Sequence, residues 1–194
     1  MAPPTIVELH QFLRRHNALI VHFSGIPKGV GPGTASYPDD LRAAIASKGA
    51  FELSCSAVKP GDKFDPDPGV LSAATGSVGI IVDPRGPSSI KFADADDHGS
   101  MYDPRTNKRI GLPGMTVSAQ SFEDSFAHRT RYNEWVVGDY DVRGIFIFRP
   151  IWLNPTTQMP LQRVAADFPG MPIFTFSFDE IFQVIPTDHK QIYA

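Results

Sequence analysis

Apolar residues at Ile6, Leu9, Phe12 and Leu13 recur at the helical period, and Thr5 stands where a cap is needed, so a first helix is predicted that ends near His16 and Asn17. The pattern then changes to a continuous apolar run over 18–23, rich in β-branched residues, which reads as a buried strand stopped by Ser24-Gly25. A loop rich in Gly and Pro follows over 26–36. Pro38, Asp39 and Asp40 suit the first turn of a second helix, which Leu41, Ala44 and Ile45 stripe and Gly49 closes. Strands are predicted over 51–55, 78–82 and 89–93, separated by irregular stretches over 59–75 and 94–113. Ser121-Phe122-Glu123-Asp124 reads as a capping box opening a short helical piece. The clearest hairpin-like signal is a pair of strand segments, 132–137 and 141–149, around Gly138-Asp139-Tyr140. A strand over 173–176 and a short helix over 179–184 complete the chain. Short strands outnumber helices, so the fold class is α+β.

Composition adds limits. At 194 residues the chain fits one domain, 1–194, able to bury a core without a metal or disulfide staple. A net charge of −3 with no basic block argues against a nucleic-acid partner. The single cysteine, Cys55, excludes an internal disulfide framework and is best read as a small buried thiol. Met1-Ala2-Pro3-Pro4 leads into an amphipathic segment instead of an apolar signal core, and no run approaches the roughly 18 apolar residues of a membrane span. The expectation is a soluble protein made in the cytoplasm, compatible with export by a signal-independent route. Asp94, Asp96, Asp97 and His98 could hold a metal by composition, but a solvated acidic turn accounts for them, and no metal is expected.

Chemistry concentrates at Tyr132-Asn133-Glu134-Trp135-Val136-Val137, followed by Asp141-Val142. This stretch resembles the final catalytic motif of the ADP-ribosyltransferase superfamily, closest to the poly-ADP-ribose polymerase-like branch. Ile20-Val21-His22-Phe23-Ser24-Gly25 resembles the first strand of the same branch, although Phe23 stands where that branch usually carries Gly. The resemblance spans about 18–150 and leaves 151–194 as an extension. It implies a split β-sheet core with few short helices, NAD as substrate, and Glu134 as the catalytic carboxylate. It further implies that His22 bonds a ribose hydroxyl and that the backbone at Phe23, beside Ser24 and Gly25, holds the nicotinamide amide. Tyr132 belongs to the same NAD-binding set. The branch's central tyrosine has no counterpart in Ser77-Val78-Gly79-Ile80-Ile81-Val82, whereas Ser88 or Ser89 can replace its serine, and Phe92 or Tyr102 can stack on nicotinamide. Ser54-Cys55-Ser56 offers an alternative serine, as in the arginine-first branch of toxins. Gly29-Val30-Gly31-Pro32-Gly33 reads as a lid beside His22, since Pro32 removes a donor from any phosphate cradle.

A carboxylate suits this reaction because loss of nicotinamide passes through an oxocarbenium-like sugar, which a fixed anion stabilises. Nicotinamide leaves neutral, so no strong general acid is required. The implied activity is transfer of a single ADP-ribose to a protein acceptor. Members that modify arginine place a second glutamate two residues before the catalytic one; Tyr132 stands there, which points to a hydroxyl, a carboxylate or a base instead of arginine. One group of effectors in the superfamily modifies a threonine of ubiquitin, and a compact chain of this kind resembles that group in organisation, with no residue matched to it. That reading makes the protein an effector or toxin. NAD hydrolysis by water and a catalytically silent binding module are the alternatives.

Overall fold

The computed structural model describes residues 4–24, 37–60, 78–94, 102–103, 108–109, 117–127, 133–147, 161–176 and 181–185. Gly25, Tyr132, the glycine-rich loop over 26–36 and His98 lie outside the described residues.

Helix α1 (Ile6–Arg15) begins with a reciprocal cap: the Glu8 amide donates to Thr5 Oγ1 at 3.2 Å and the Thr5 amide to Glu8 at 2.6 Å. Strand β1 (Leu19–Phe23) follows, then α2 (Asp39–Ser47), β2 (Leu53–Val58), β3 (Val78–Pro84) and, after a 3-10 turn at Pro87–Ser89, β4 (Ile90–Asp94). The second helix ends as its glycine requires, with Lys48 at φ 51° and Gly49 at φ 82°. Strands β5 (Tyr102–Asp103) and β6 (Lys108–Arg109) pair with each other and, among the described residues, with no other strand. Helix α3 (Ala119–Ala127), β7 (Glu134–Val137), β8 (Tyr140–Ile147), α4 (Leu161–Asp167), β9 (Ile173–Phe176) and β10 (Ile181–Ile185) complete the order.

Eight strands form one sheet in the order β10-β9-β8-β3-β1-β2-β7-β4, antiparallel except for β8 with β9. With four helices among the described residues, the fold is α+β. β2 divides the sheet. Its second half pairs with β1, from Leu19 opposite Val58 to Val21 opposite Ser56. Its first half pairs with β7, from Leu53 opposite Val137 to Cys55 opposite Trp135. β1 meanwhile continues along β3 as far as Phe23 opposite Gly79. His22 and Phe23 are therefore strand residues whose neighbour on the β2 side has turned to another partner.

Three sequence expectations are corrected. β7 and β8 form no hairpin: β7 lies between β2 and β4, and β8 between β3 and β9. The turn between them is held by other elements, with the Asp139 amide donating to the Gly49 carbonyl and the Arg85 amide to the Asp139 carbonyl, each at 3.0 Å. Arg85 also binds the carboxylates of Asp139 and Asp141 at 2.9 and 2.7 Å, holding Asp141 below the usual carboxylate range. The segment predicted as a final helix is β10, because Ile181, Phe182 and Gln183 pair with Phe176, Thr175 and Phe174. The predicted capping box moves one turn back. The α3 cap is Ser118, whose amide and Oγ exchange bonds with Ser121 Oγ and amide at 2.9 and 3.2 Å. Helix α4 has no counterpart in the predicted elements.

One face of the β7 region carries an aromatic cluster. Trp135 is fully buried and stacks on Phe122 at 4.9 Å between centroids, while Phe12 reaches Phe122 and Phe126 at 5.5 and 5.4 Å. α1 is also tied to the sheet by polar bonds: His10 Nε2 donates to the buried Asp83 at 2.9 Å, and Arg143 Nε donates to the other oxygen at 2.7 Å. Gly79 fits β1 only without a side chain, since a Cβ there would lie 2.6 Å from the His22 carbonyl oxygen and 2.5 Å from Val21 Cγ1. Gly79→Ala is expected to push β1 aside and cost about 1–3 kcal/mol in urea unfolding; an unchanged midpoint would contradict the tight packing at this point.

Candidate functional site

Glu134 opens β7 and is 0% exposed. By strand alternation its side chain leaves the face opposite to Trp135, away from the aromatic cluster. Ser54 lies opposite Val136 in β2, so it is the diagonal cross-strand neighbour of Glu134 on the same face. Its hydroxyl donates to Glu134 Oε1 at 2.6 Å. The bond satisfies one oxygen of a carboxyl group that is fully buried.

The carbonyl of Ser54 is engaged too, accepting from His22 Nδ1 at 2.7 Å. A carbonyl can only accept, so this bond requires the proton on Nδ1 and makes Nε2 the acceptor nitrogen of the neutral ring. The bond forms where the β1–β2 pairing has ended, one residue beyond Val21. Ser54 thus touches both His22 and Glu134. His22, 32 positions away, binds its carbonyl, and Glu134, 80 positions away, accepts from its hydroxyl.

The remaining candidates fall into distinct places. Phe23 is buried, its ring edge-on to Phe146 at 6.0 Å. The Ser24 amide donates to the Val78 carbonyl, so the alternation of an antiparallel ladder turns the backbone groups of Phe23 toward the side from which β2 has departed. The buried Ser24 hydroxyl is shared between both carboxylate oxygens of Asp40, at 3.0 and 2.8 Å, and so ties the end of β1 to the start of α2. Ser88 is not brought to Glu134. It lies on the 3-10 turn before β4, beyond the Ile90–Val137 end of the ladder, while Glu134 sits at the other end opposite Asp94. Four strand residues separate those ends by on the order of 10 Å. Ser89 is engaged there as well, its carbonyl accepting from the Gly138 amide at 2.9 Å. Phe92 pairs with Val136, which places its buried ring on the same face as Glu134 and Ser54.

Asn133 is the residue that sequence reasoning passed over. Fully buried, its side-chain amide accepts from the Ala57 amide at 2.8 Å and donates to the Ala57 carbonyl at 3.0 Å, in the manner of one more ladder residue. The only signal for it is an amide side chain directly before a strand.

Chemically, the arrangement sets a fixed carboxylate and an oriented imidazole on either side of one serine. A fixed carboxylate can stabilise positive charge developing on a sugar ring, and an oriented imidazole can bond a hydroxyl. No protein-family model and no curated protein matches the sequence. Among the described residues, no cluster of three or more metal-ligating side chains occurs, and no helix is long and apolar enough to cross a membrane.

A buried carboxylate kept for its chemistry contributes little to folding, because desolvation opposes its hydrogen bonds. Glu134→Gln keeps an acceptor for Ser54, and its thermal midpoint is expected to match or exceed that of wild type. Ser54→Ala strips the carboxylate of a donor and is expected to cost about 1–3 kcal/mol. A Glu134→Gln protein destabilised as much as Ser54→Ala would make the carboxylate a structural group.

Proposed function

We propose that the chain is a mono-ADP-ribosyltransferase that cleaves NAD at the nicotinamide–ribose bond and passes ADP-ribose to a protein acceptor. The observation that carries this reading is the junction at Ser54, where the histidine of β1 and the glutamate of β7 arrive at one residue of β2. The change of partner within β2 supports the split-sheet ADP-ribosyltransferase core that the motifs imply.

In this reading Glu134 accepts a hydrogen bond from a ribose hydroxyl and faces the ring as C1′ becomes cationic. The C1′–N bond breaks with its electron pair going to nicotinamide, which departs neutral. His22, with its proton on Nδ1, offers Nε2 to a second ribose hydroxyl. The backbone of Phe23 lies next to it for the nicotinamide amide. The acceptor's lone pair then closes on C1′, and Glu134 takes the acceptor's proton. Burial strengthens each of these interactions by excluding water. Ser54 is part of the site through its bond to the carboxylate. Ser88 is not, since it lies at the far end of the ladder.

The acceptor is read from what precedes Glu134. Tyr132 provides no second carboxylate to deprotonate a guanidinium, so a hydroxyl such as a threonine of ubiquitin fits better than arginine. An effector that modifies a host protein is the corresponding biological role.

Nicotinamide release from NAD, with and without cell extract or ubiquitin, tests the reading. Release by wild type is expected, rising with acceptor, and Glu134→Gln should reduce it by on the order of 10²–10⁴. Release without labelled protein would convert the assignment to NAD hydrolysis. A folded protein that releases no nicotinamide under any of these conditions would overturn it.

A further inference from the structure

Both chain neighbours of Glu134 are hydrogen-bonded to one residue of α3. Asn133 Nδ2 donates to the Ser125 carbonyl at 3.2 Å, and Trp135 Nε1 donates to Ser125 Oγ at 3.1 Å. The Ser125 hydroxyl gives its own proton to the Phe122 carbonyl at 2.7 Å, so its oxygen both donates and accepts. All three side chains, of Ser125, Asn133 and Trp135, are 0% exposed. Because strand side chains alternate, 133 and 135 share the face toward α3 and 134 is turned to the other. Asn133 also binds both backbone groups of Ala57, which fixes the pair to β2 within the segment where β2 changes partner.

We propose that Ser125 is a positioning residue for Glu134, holding residues 133 and 135 from behind the sheet so that the carboxylate stands at one fixed place beside Ser54. The proposal rests on the NAD-cleaving reading for its functional consequence, but the clamp itself rests on these bonds alone. Fixing the flanking residues limits rotation of the strand about its axis. A displaced carboxylate would lose its geometry toward the sugar while binding of the rest of the dinucleotide continued. Of the two bonds, the one from Trp135 depends on the serine hydroxyl, whereas the carbonyl that Asn133 binds belongs to the backbone, so Ser125→Ala removes the first and keeps the second.

The test combines Ser125→Ala with the Glu134→Gln background. In wild type, Ser125→Ala is expected to lower kcat for nicotinamide release by about tenfold to a hundredfold, with KM for NAD nearly unchanged. In the Glu134→Gln background it should cost little more, because the group it positions is gone. Hydrogen exchange at the amides of 133–135 should rise by about tenfold relative to those of β3 and β8. Trp135→Phe, which keeps a ring and removes the donor, should act in the same direction and serves if Ser125→Ala does not fold. Equal fractional loss in both backgrounds, or unchanged exchange at 133–135, would overturn the proposal. If wild type releases no nicotinamide, the NAD reading fails, and the exchange measurement still decides whether Ser125 holds the strand.

Discussion

A β-strand has two hydrogen-bonding edges, and β2 uses each of them along only half of its length. Residues 56–58 face β1, and residues 53–55 face β7. The geometry elsewhere follows from this exchange. β1 runs on with β3 while β2 runs on with β7, and the place where they part is bordered by His22 on one side and Ser54 with Glu134 on the other. Two side chains extend the ladders, one on each edge of β2. His22 bonds the Ser54 carbonyl where the first ladder stops, and Asn133 bonds Ala57 where the second stops.

Energetically the arrangement sets a cost against a constraint. A fully buried carboxylate is expensive, and the Ser54 hydroxyl offsets part of that cost. The rigid aromatic layer of Phe12, Phe122 and Trp135 lies on the other face, so the strand carrying Glu134 cannot relax without disturbing α1 and α3. A hydrophobic residue at 134 would remove that cost but leave the Ser54 hydroxyl without its acceptor.

Much of this could be read from the chain, and the rest could not for identifiable reasons. The first helix, its Thr5 cap, β1, the Gly49 stop and the strand at 173–176 follow local periodicity and turn chemistry, and the structure has them. His22 and Glu134 were legible as residues, and Ser54 as an alternative. The junction among them was not, because contacts across 32 and 80 positions leave no periodic trace. The failed hairpin has the same origin. Gly138-Asp139-Tyr140 has the composition of a hairpin turn, but the Gly49 carbonyl and Arg85 claim Asp139 and send the two strands to different partners. The final strand reads as a short helix because 181–185 lacks a clean alternation; its β-branched and aromatic residues and the Pro186 that follows suit a strand, and pairing with β9 decides the matter.

The crossing between β7 and β8 has a consequence for how the protein acquires its site. Consecutive strands that zip together locally form early, whereas these two must each find a partner laid down much earlier in the chain. β8 belongs with β3 in one half of the sheet, and β7 with β2 in the other. The His22–Ser54–Glu134 arrangement therefore requires long-range pairing of β1, β2 and β7 together, and none of these three strands neighbours another through a short local turn.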